Sequence, residues 1–228
     1  MKIRFLGQSG YILKTDNSKI IIDPYLSDSV NRVASRPRTL PIPINPHDIC
    51  CDAVICTHNH LDHLDPDTVS QIPSKQKYIT TNEGKAELER LGRKNVTALN
   101  IGDTVNIDDF EITSVFADHT VEAFGLIIRS EGITLYFSGD TLYNEKLFEI
   151  VKYKPDFAFI CINGRLGNMN VNEALVTAEK IGASVNIPNH YDMFESNSEN
   201  PLLFSEHIKG GFVMDFNKEY TLEKTKII

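Results

Sequence analysis

Three imidazoles and a carboxylate lie within six residues of one another in Cys56-Thr57-His58-Asn59-His60-Leu61-Asp62-His63. Imidazole and carboxylate are the ligand types of zinc, manganese and iron sites, and four of them on one short loop exceed what packing asks for. His58 and His60 are two apart, so in an extended backbone both rings leave on the same side and can hold one ion. Asp62 and His63 are adjacent and diverge, which suits a second ion a few ångströms away. A polar loop whose histidines merely hydrogen-bond is the ordinary reading of a lone His, and a poor one for four together. The apolar run Ala53-Val54-Ile55 just before the loop reads as a buried β-strand, so a strand end delivers these groups.

A dinuclear centre needs further ligands, and three more candidates stand at the ends of expected strands. His119 follows Phe110–Phe116, with Asp118 beside it as a competing ligand. Asp140 follows Leu135-Tyr136-Phe137-Ser138-Gly139, where the glycine permits a sharp turn and a close approach; its simpler role is an Asx-turn acceptor. His190 follows Val185-Asn186-Ile187-Pro188. His47, on a proline-bordered loop, and His207, on an expected helix, read as non-ligands. Cys56 sits in an apolar strand, which favours burial over reactivity.

The remaining chain supplies the scaffold. Lys2–Leu6, Gly10–Lys14 and Lys19–Ile22 form an antiparallel meander ending at Asp23-Pro24. Ser27–Pro46 holds four prolines and three arginines, Arg32, Arg36 and Arg38, with no helical period, and reads as a long loop, either functional or a solvated flap. Asp65 with Pro66 opens a short helix to about Ile72, and Asn82 caps a helix to Leu91 that Gly92 stops. Further strands are expected at Tyr78–Thr80, Thr104–Ile107, Phe110–Phe116, Phe124–Arg129, Thr134–Ser138, Phe157–Cys161, Val185–Ile187, Phe212–Asp215 and Tyr220–Leu222. Helices are expected at Glu145–Lys152, Asn172–Ile181 and Pro201–Ile208. Strands come first in hairpins, then alternate with helices, and the series recurs in the second half. That pattern predicts an α+β fold of two mixed β-sheets packed face to face with helices outside.

The run H-x-H-x-D-H, between a strand and a helix, resembles the metallo-β-lactamase superfamily, and His119, Asp140 and His190 match its later motifs in order and approximate spacing. The resemblance spans Asp23 to His190. It implies a four-layer αββα sandwich, one domain over residues 1–228, with metals at an edge between the sheets. It also implies that His58, His60 and His119 hold one ion, that Asp62, His63 and His190 hold the other, and that Asp140 bridges them. Asp23 matches an acid that supports the metal loop from behind; by itself it reads equally well as a strand-ending turn. Two divalent ions about 3.5–4 Å apart lower the pKa of a water between them, so the expected reaction is hydrolysis by a bridging hydroxide, with Asp62 also shuttling a proton.

Arg38-Thr39-Leu40-Pro41, Thr57–Asp65, Ser138–Tyr143 and Ile187–Phe194 look like the L-ascorbate 6-phosphate lactonase family, which opens a sugar-acid lactone and is typically manganese-dependent. The resemblance implies a lactone of a phosphorylated sugar acid as substrate. Arg36, Arg38 or Arg165 could then clamp the phosphate, and Tyr143 and Tyr191 could hydrogen-bond the sugar or the developing oxyanion. The chain is shorter than that family before the metal loop and between Ala117 and Gly132, regions that shape the lactonase pocket. The rivals are a phosphodiesterase or nuclease of the ribonuclease Z kind, and a metal-binding scaffold without catalysis.

Composition sets the outer limits. In 228 residues, 41 % hydrophobic and 24 % charged, there is room for a sizeable core and no run long enough for a membrane span. The N-terminal stretch does not resemble a signal peptide, and Cys50, Cys51, Cys56 and Cys161 show no disulfide or CxxC framework, so cytoplasmic residence is expected. A net charge of −8 disfavours nucleic acid as a partner and leaves a small molecule, with a homo-oligomer compatible.

Overall fold

The structure, a computed structural model, describes residues 1–73 and 75–228. Its first sheet begins as expected with β1 (Lys2–Gly7), β2 (Gly10–Lys14) and β3 (Lys19–Ile22), paired antiparallel. β4 (Ala53–Ile55), β5 (Lys77–Thr80) and β6 (Val96–Ala98) then add in parallel beyond β3. The chain's last strands, β13 (Glu219–Glu223) and β14 (Lys226–Ile227), close the other edge beside β1. The second sheet runs β12 (Val185–Asn189), β11 (Phe157–Cys161), β10 (Ile133–Phe137), β9 (Phe124–Ser130), β8 (Phe110–Phe116), β7 (Thr104–Ile107). Its β10, β11 and β12 are parallel, and β7 to β10 form an antiparallel meander.

Alternation along the strands explains the layering. Ile20 and Ile22 join Ile3, Phe5, Tyr11, Leu13 and Ile55 in the core between the sheets. Ile21, one residue out of phase, joins Val54, Cys56, Tyr78 and Leu6 on the opposite face. Side chains two apart share a face, so each of these strands is apolar on both sides because it is buried on both sides. Tyr11 crosses the interface, its ring 5.2 Å from Phe137 and 5.1 Å from Phe159. α2 (Pro66–Gln71) and α3 (Asn82–Arg90) cover the first sheet through Val69 and Leu88. α4 (Val171–Ile181) and a 3-10 stretch, Glu145–Tyr153, cover the second through Ala174, Ala178, Ile181, Leu147 and Ile150. The fold is the four-layer αββα sandwich.

Departures from the sequence expectations are local. The proline-rich stretch contains α1 (Ser29–Ala34), too short to show an apolar period. Thr81, not Asn82, caps α3, its hydroxyl accepting the Gly84 N–H. Asn170 and Glu173 form a reciprocal capping box that starts α4 one residue early. The last helix shrinks to α5 (Leu202–Ser205), and Phe212–Asp215 is not a strand: Gly211 makes an isolated bridge to Asn186, and Phe212 N–H donates to the Asn186 carbonyl at 2.9 Å. No helix among the described residues is long and apolar enough to cross a membrane.

Candidate metal centre

Every candidate ligand sits just beyond the C-terminal end of a strand, and both sheets contribute. β3 and β4 are parallel neighbours, with Ile22 opposite Ile55, so Asp23 and the loop from Cys56 to His63 emerge side by side. β8 delivers His119, β10 delivers Asp140, and β12 delivers His190. Asp23 and His190 both adopt left-handed backbone angles, φ 42° and 63°, which turn the chain back over the sheet edge. Such conformations are costly for residues other than glycine and collect at functional sites.

Two groups result. In the first, His60 Nδ1 lies 3.1 Å from His58 Nε2 and 3.2 Å from His119 Nε2. The outward nitrogens are already engaged: His58 Nδ1 is 3.1 Å from the Thr57 hydroxyl, and His119 Nδ1 is 3.0 Å from the Gly167 carbonyl. Donation outward assigns the proton to each Nδ1 and leaves each Nε2 lone pair pointing inward. Asp118 accepts from Asn144 Nδ2 at 2.9 Å, so the structure brings His119 into the group rather than Asp118.

In the second group, His190 Nε2 is 3.1 Å from Asp140 Oδ2 and 3.5 Å from Asp62 Oδ2, and His63 Nε2 is 3.7 Å from Asp62 Oδ2. Asp140 Oδ1 faces His63 Nε2 at 3.3 Å. Its carboxylate also groups with His58 and His63, one from each set, and so lies between the two. Asp23 stands behind: its Oδ1 accepts the Thr57 N–H at 2.7 Å, and its Oδ2 accepts the Thr57 hydroxyl at 2.7 Å and His63 Nδ1 at 2.8 Å. The carboxylate thereby fixes the His63 tautomer and aims its Nε2 into the site.

The donor set fits divalent cations. His63 Nε2 and Asp140 Oδ1 are both buried without a hydrogen-bond partner among the described residues, yet they face each other. The inward lone pairs of His58 and His119 both face His60 Nδ1, at 3.1 and 3.2 Å, and a single proton there can serve only one of them, whereas a cation among the three nitrogens serves all. The electrostatics divide in the same way. Burial and then the His63 ring hold His58 well below the usual histidine range, and burial and then His119 lower His60. Burial also opposes charge on His190, but Asp140 and Asp62 outweigh it and push the ring up to about 9. His63 is raised by Asp140, Asp23 and Asp62 against the same burial. Asp62 and Asp140 are held below the usual carboxylate range, burial being outweighed by His63 and His190.

A beta-lactamase superfamily domain model matches residues 18–191. A UPF0173 metal-dependent hydrolase of Methanospirillum hungatei is 32 % identical over 86 % of this chain and 84 % of its own length. Its counterpart in Oenococcus oeni is 29 % identical over 96 % and 99 %. The chain belongs to the beta-lactamase superfamily, among its UPF0173 metal-dependent hydrolases. The crystal structure of an isothiocyanate hydrolase from Delia radicum gut bacteria superposes with a TM-score of 0.82 over 98 % of this chain and all of that one, at 21 % identity, a likeness of fold.

Around this candidate centre the other sequence candidates fare unevenly. Arg38 is not free to clamp an anion: its guanidinium donates to the carbonyls of Leu40 at 2.7 Å, Ser27 at 2.8 Å, Pro41 at 3.2 Å and Tyr25 at 3.3 Å, and stacks over the Tyr25 ring. Tyr191 is corrected too. Its ring lies in the core 5.6 Å from Phe5, its hydroxyl 3.5 Å from the Met214 carbonyl, so it does not face a substrate. Arg165 is exposed and donates to the Ser198 carbonyl at 2.7 Å. Arg36 borders a cavity of about 430 Å³ with Pro37, Phe194 and Glu195. Tyr143 stays partly exposed three residues past Asp140, beside exposed Leu142. Cys56 is fully buried, and burial raises its thiol well above the usual range, so it is no nucleophile.

Sequence reasoning misses four positions that hold the candidate ligands: Thr57, Asn168, Gly167 and Gln8. Asn168 donates to Asp140 Oδ2 at 2.8 Å, and the Gln8 amide reaches Asp62. The glycines on either side of Gln8-Ser9 signal a tight turn, but nothing local says what the turn touches.

Proposed function

We propose that this metal-dependent hydrolase carries two ions, manganese or zinc, and cleaves an ester-type bond, foremost a lactone of a sugar acid. The observation that carries the reading is the convergence of His58, His60 and His119 on one point and of Asp62, His63 and His190 on another, with Asp140 reaching both groups. When bound, such ions activate water as a nucleophile near neutral pH and stabilise the charge that develops on an attacked carbonyl. The chain's own groups do the rest. Thr57, Asp23 and Gly167 hold the imidazole tautomers, and Asn168 orients Asp140. Asp62, held in place by the Gln8 amide, would take up the proton and return it to the leaving oxygen.

The surroundings favour a small, weakly charged substrate over a polyanion. Leu142 and Tyr143 stand exposed just after Asp140, and Leu166 stands exposed beside Gly167, whose carbonyl meets His119. Of the three arginines expected near a phosphate, Arg38 is committed to backbone carbonyls, which leaves Arg36 and Arg165 as candidates for that contact. The net charge of −8 supports a small molecule rather than nucleic acid. The four free cysteines agree with a reducing cytoplasm.

Protein loaded with Mn2+ or Zn2+ is to be assayed against sugar-acid lactones with and without phosphate, a phosphodiester and a thioester, before and after chelation. Lactone turnover that chelation abolishes is the expected result. Faster phosphodiester cleavage would overturn the substrate class, and activity indifferent to chelation would overturn the mechanism.

A further inference from the structure

Gln8 is fully buried at the seam between the two sheets, far in sequence from every group it touches. It follows Gly7 and adopts a left-handed φ of 55°. Its carbonyl accepts the backbone N–H of His190 at 3.0 Å, which ties the β1–β2 turn to the end of β12. Its side-chain Nε2 donates to Asp62 Oδ2 at 2.6 Å and lies 3.0 Å from His190 Nε2. Asp62 Oδ2 is also the oxygen nearest the His63 and His190 nitrogens. Gln8 thus holds two groups that arrive from different sheets, Asp62 by its side chain and His190 by its main chain, where those two side chains approach each other at 3.5 Å.

Folding stability is a poor explanation for this residue. Its Oε1 is buried and has no partner among the described residues, and an unpaired buried acceptor is destabilising. A methionine there would fill nearly the same volume without that penalty. What methionine could not do is donate. A carboxylate that accepts from a fixed amide is held in one rotamer before any ion arrives, and the groups behind metal ligands typically shift affinity 10–100-fold.

We propose that Gln8 is a positioning residue for the second metal group: its amide N–H fixes the Asp62 carboxylate, and its main chain fixes His190, so that the two meet at ion-binding distance. The assignment rests on the reading that Asp62, His63 and His190 hold an ion. The donor role is specific. The opposite amide orientation would set two oxygens 2.6 Å apart and would make Gln8 an oxygen ligand instead.

Gln8→Met and Gln8→Glu distinguish these roles. Stripped wild type and variants are to be titrated with Mn2+ by calorimetry, with bound metal counted by elemental analysis and the metal-free melting temperature recorded. The proposal expects two ions on wild type. In Gln8→Met it expects the second-group affinity to fall at least tenfold and the first-group affinity to stay within twofold, with a metal-free melting temperature equal to or above wild type. Gln8→Glu, which accepts but cannot donate, should bind the second ion as weakly or more weakly. Tighter binding by Gln8→Glu would overturn the proposal in favour of an oxygen ligand. Unchanged second-group affinity in Gln8→Met would overturn it outright, as would loss of both ions together with a lower melting temperature, which marks a structural role. Wild type that binds two ions but hydrolyses nothing would sink the proposed reaction and leave Gln8 standing; wild type that binds none would sink both.

Discussion

Filling the second metal group at neutral pH should release protons, and filling the first should release none from His58 or His60. His190 titrates at about 9 in the metal-free protein, because Asp140 and Asp62 outweigh the burial that would otherwise neutralise it. At pH 7 it is therefore about 99 % protonated, and an ion must displace that proton. The displacement weakens binding roughly 100-fold relative to the fully deprotonated ring, or about 3 kcal/mol. His63 is raised by the same carboxylates with Asp23 added, so a second proton leaves with the first and steepens the dependence. His58 and His60 shift the other way and are already neutral at pH 7. Because the folded pKa of His190 lies above its ordinary 6.5, its contribution to metal-free stability is complete below about 6.5 and is lost as pH rises to about 9. Second-group affinity must then rise over the window in which metal-free stability falls. Calorimetric titration with Mn2+ at pH 7, in two buffers of different ionisation enthalpy, counts the protons; a His119→Ala variant isolates the second group by disabling the first. One to two protons per ion in the variant, with the melting temperature of stripped protein declining from pH 6.5 to 9, is the expected pair of results. A proton count near zero, or an affinity flat between pH 7 and 9, would refute the electrostatic account.

Three substitutions test the supporting contacts. Asp23→Asn leaves His63 Nδ1 and the Thr57 hydroxyl competing for one acceptor, so second-group affinity should drop about 10–100-fold in the same titration while the chain still folds; unaltered affinity would show that Asp23 only ends its strand. Arg38→Ala removes a guanidinium bound to four carbonyls, so the denaturation midpoint should fall by the equivalent of about 1–3 kcal/mol with little change in KM; a raised KM at constant stability would restore Arg38 as a substrate contact. In Gly167→Ala the new Cβ would sit 2.9 Å from His119 Nδ1 at a backbone φ of +94°. First-group affinity and turnover should fall at least tenfold, and wild-type values for both would mean that the His119 ring is not held by this loop.

What the sequence shows of such a site, and what it hides, follows from where the information is stored. Ligand chemistry is a property of single residues, so His58, His60, Asp62 and His63 stand out as candidates by type and spacing, and strand runs point to His119, Asp140 and His190. The strands themselves are legible because burial on both faces leaves them almost wholly apolar, as at Ile20-Ile21-Ile22 and Ala53-Val54-Ile55. A partner across the fold carries no such mark. Gln8 reaches Asp62 over 54 positions and His190 over 182, and a glutamine between glycines looks the same whether its amide meets solvent or a metal ligand. Arg38 is the converse case. A guanidinium on a proline-rich loop reads as an anion clamp, but prolines also leave carbonyls without helical or strand partners, and Arg38 satisfies four such carbonyls of its own chain. The strap is pinned beyond it as well, Thr39 N–H donating to the Met193 carbonyl at 2.8 Å and the Thr39 hydroxyl to that of Asp192. It lies against the segment that follows His190, so the charge that looks like recognition is consumed in holding the strap in place against that segment.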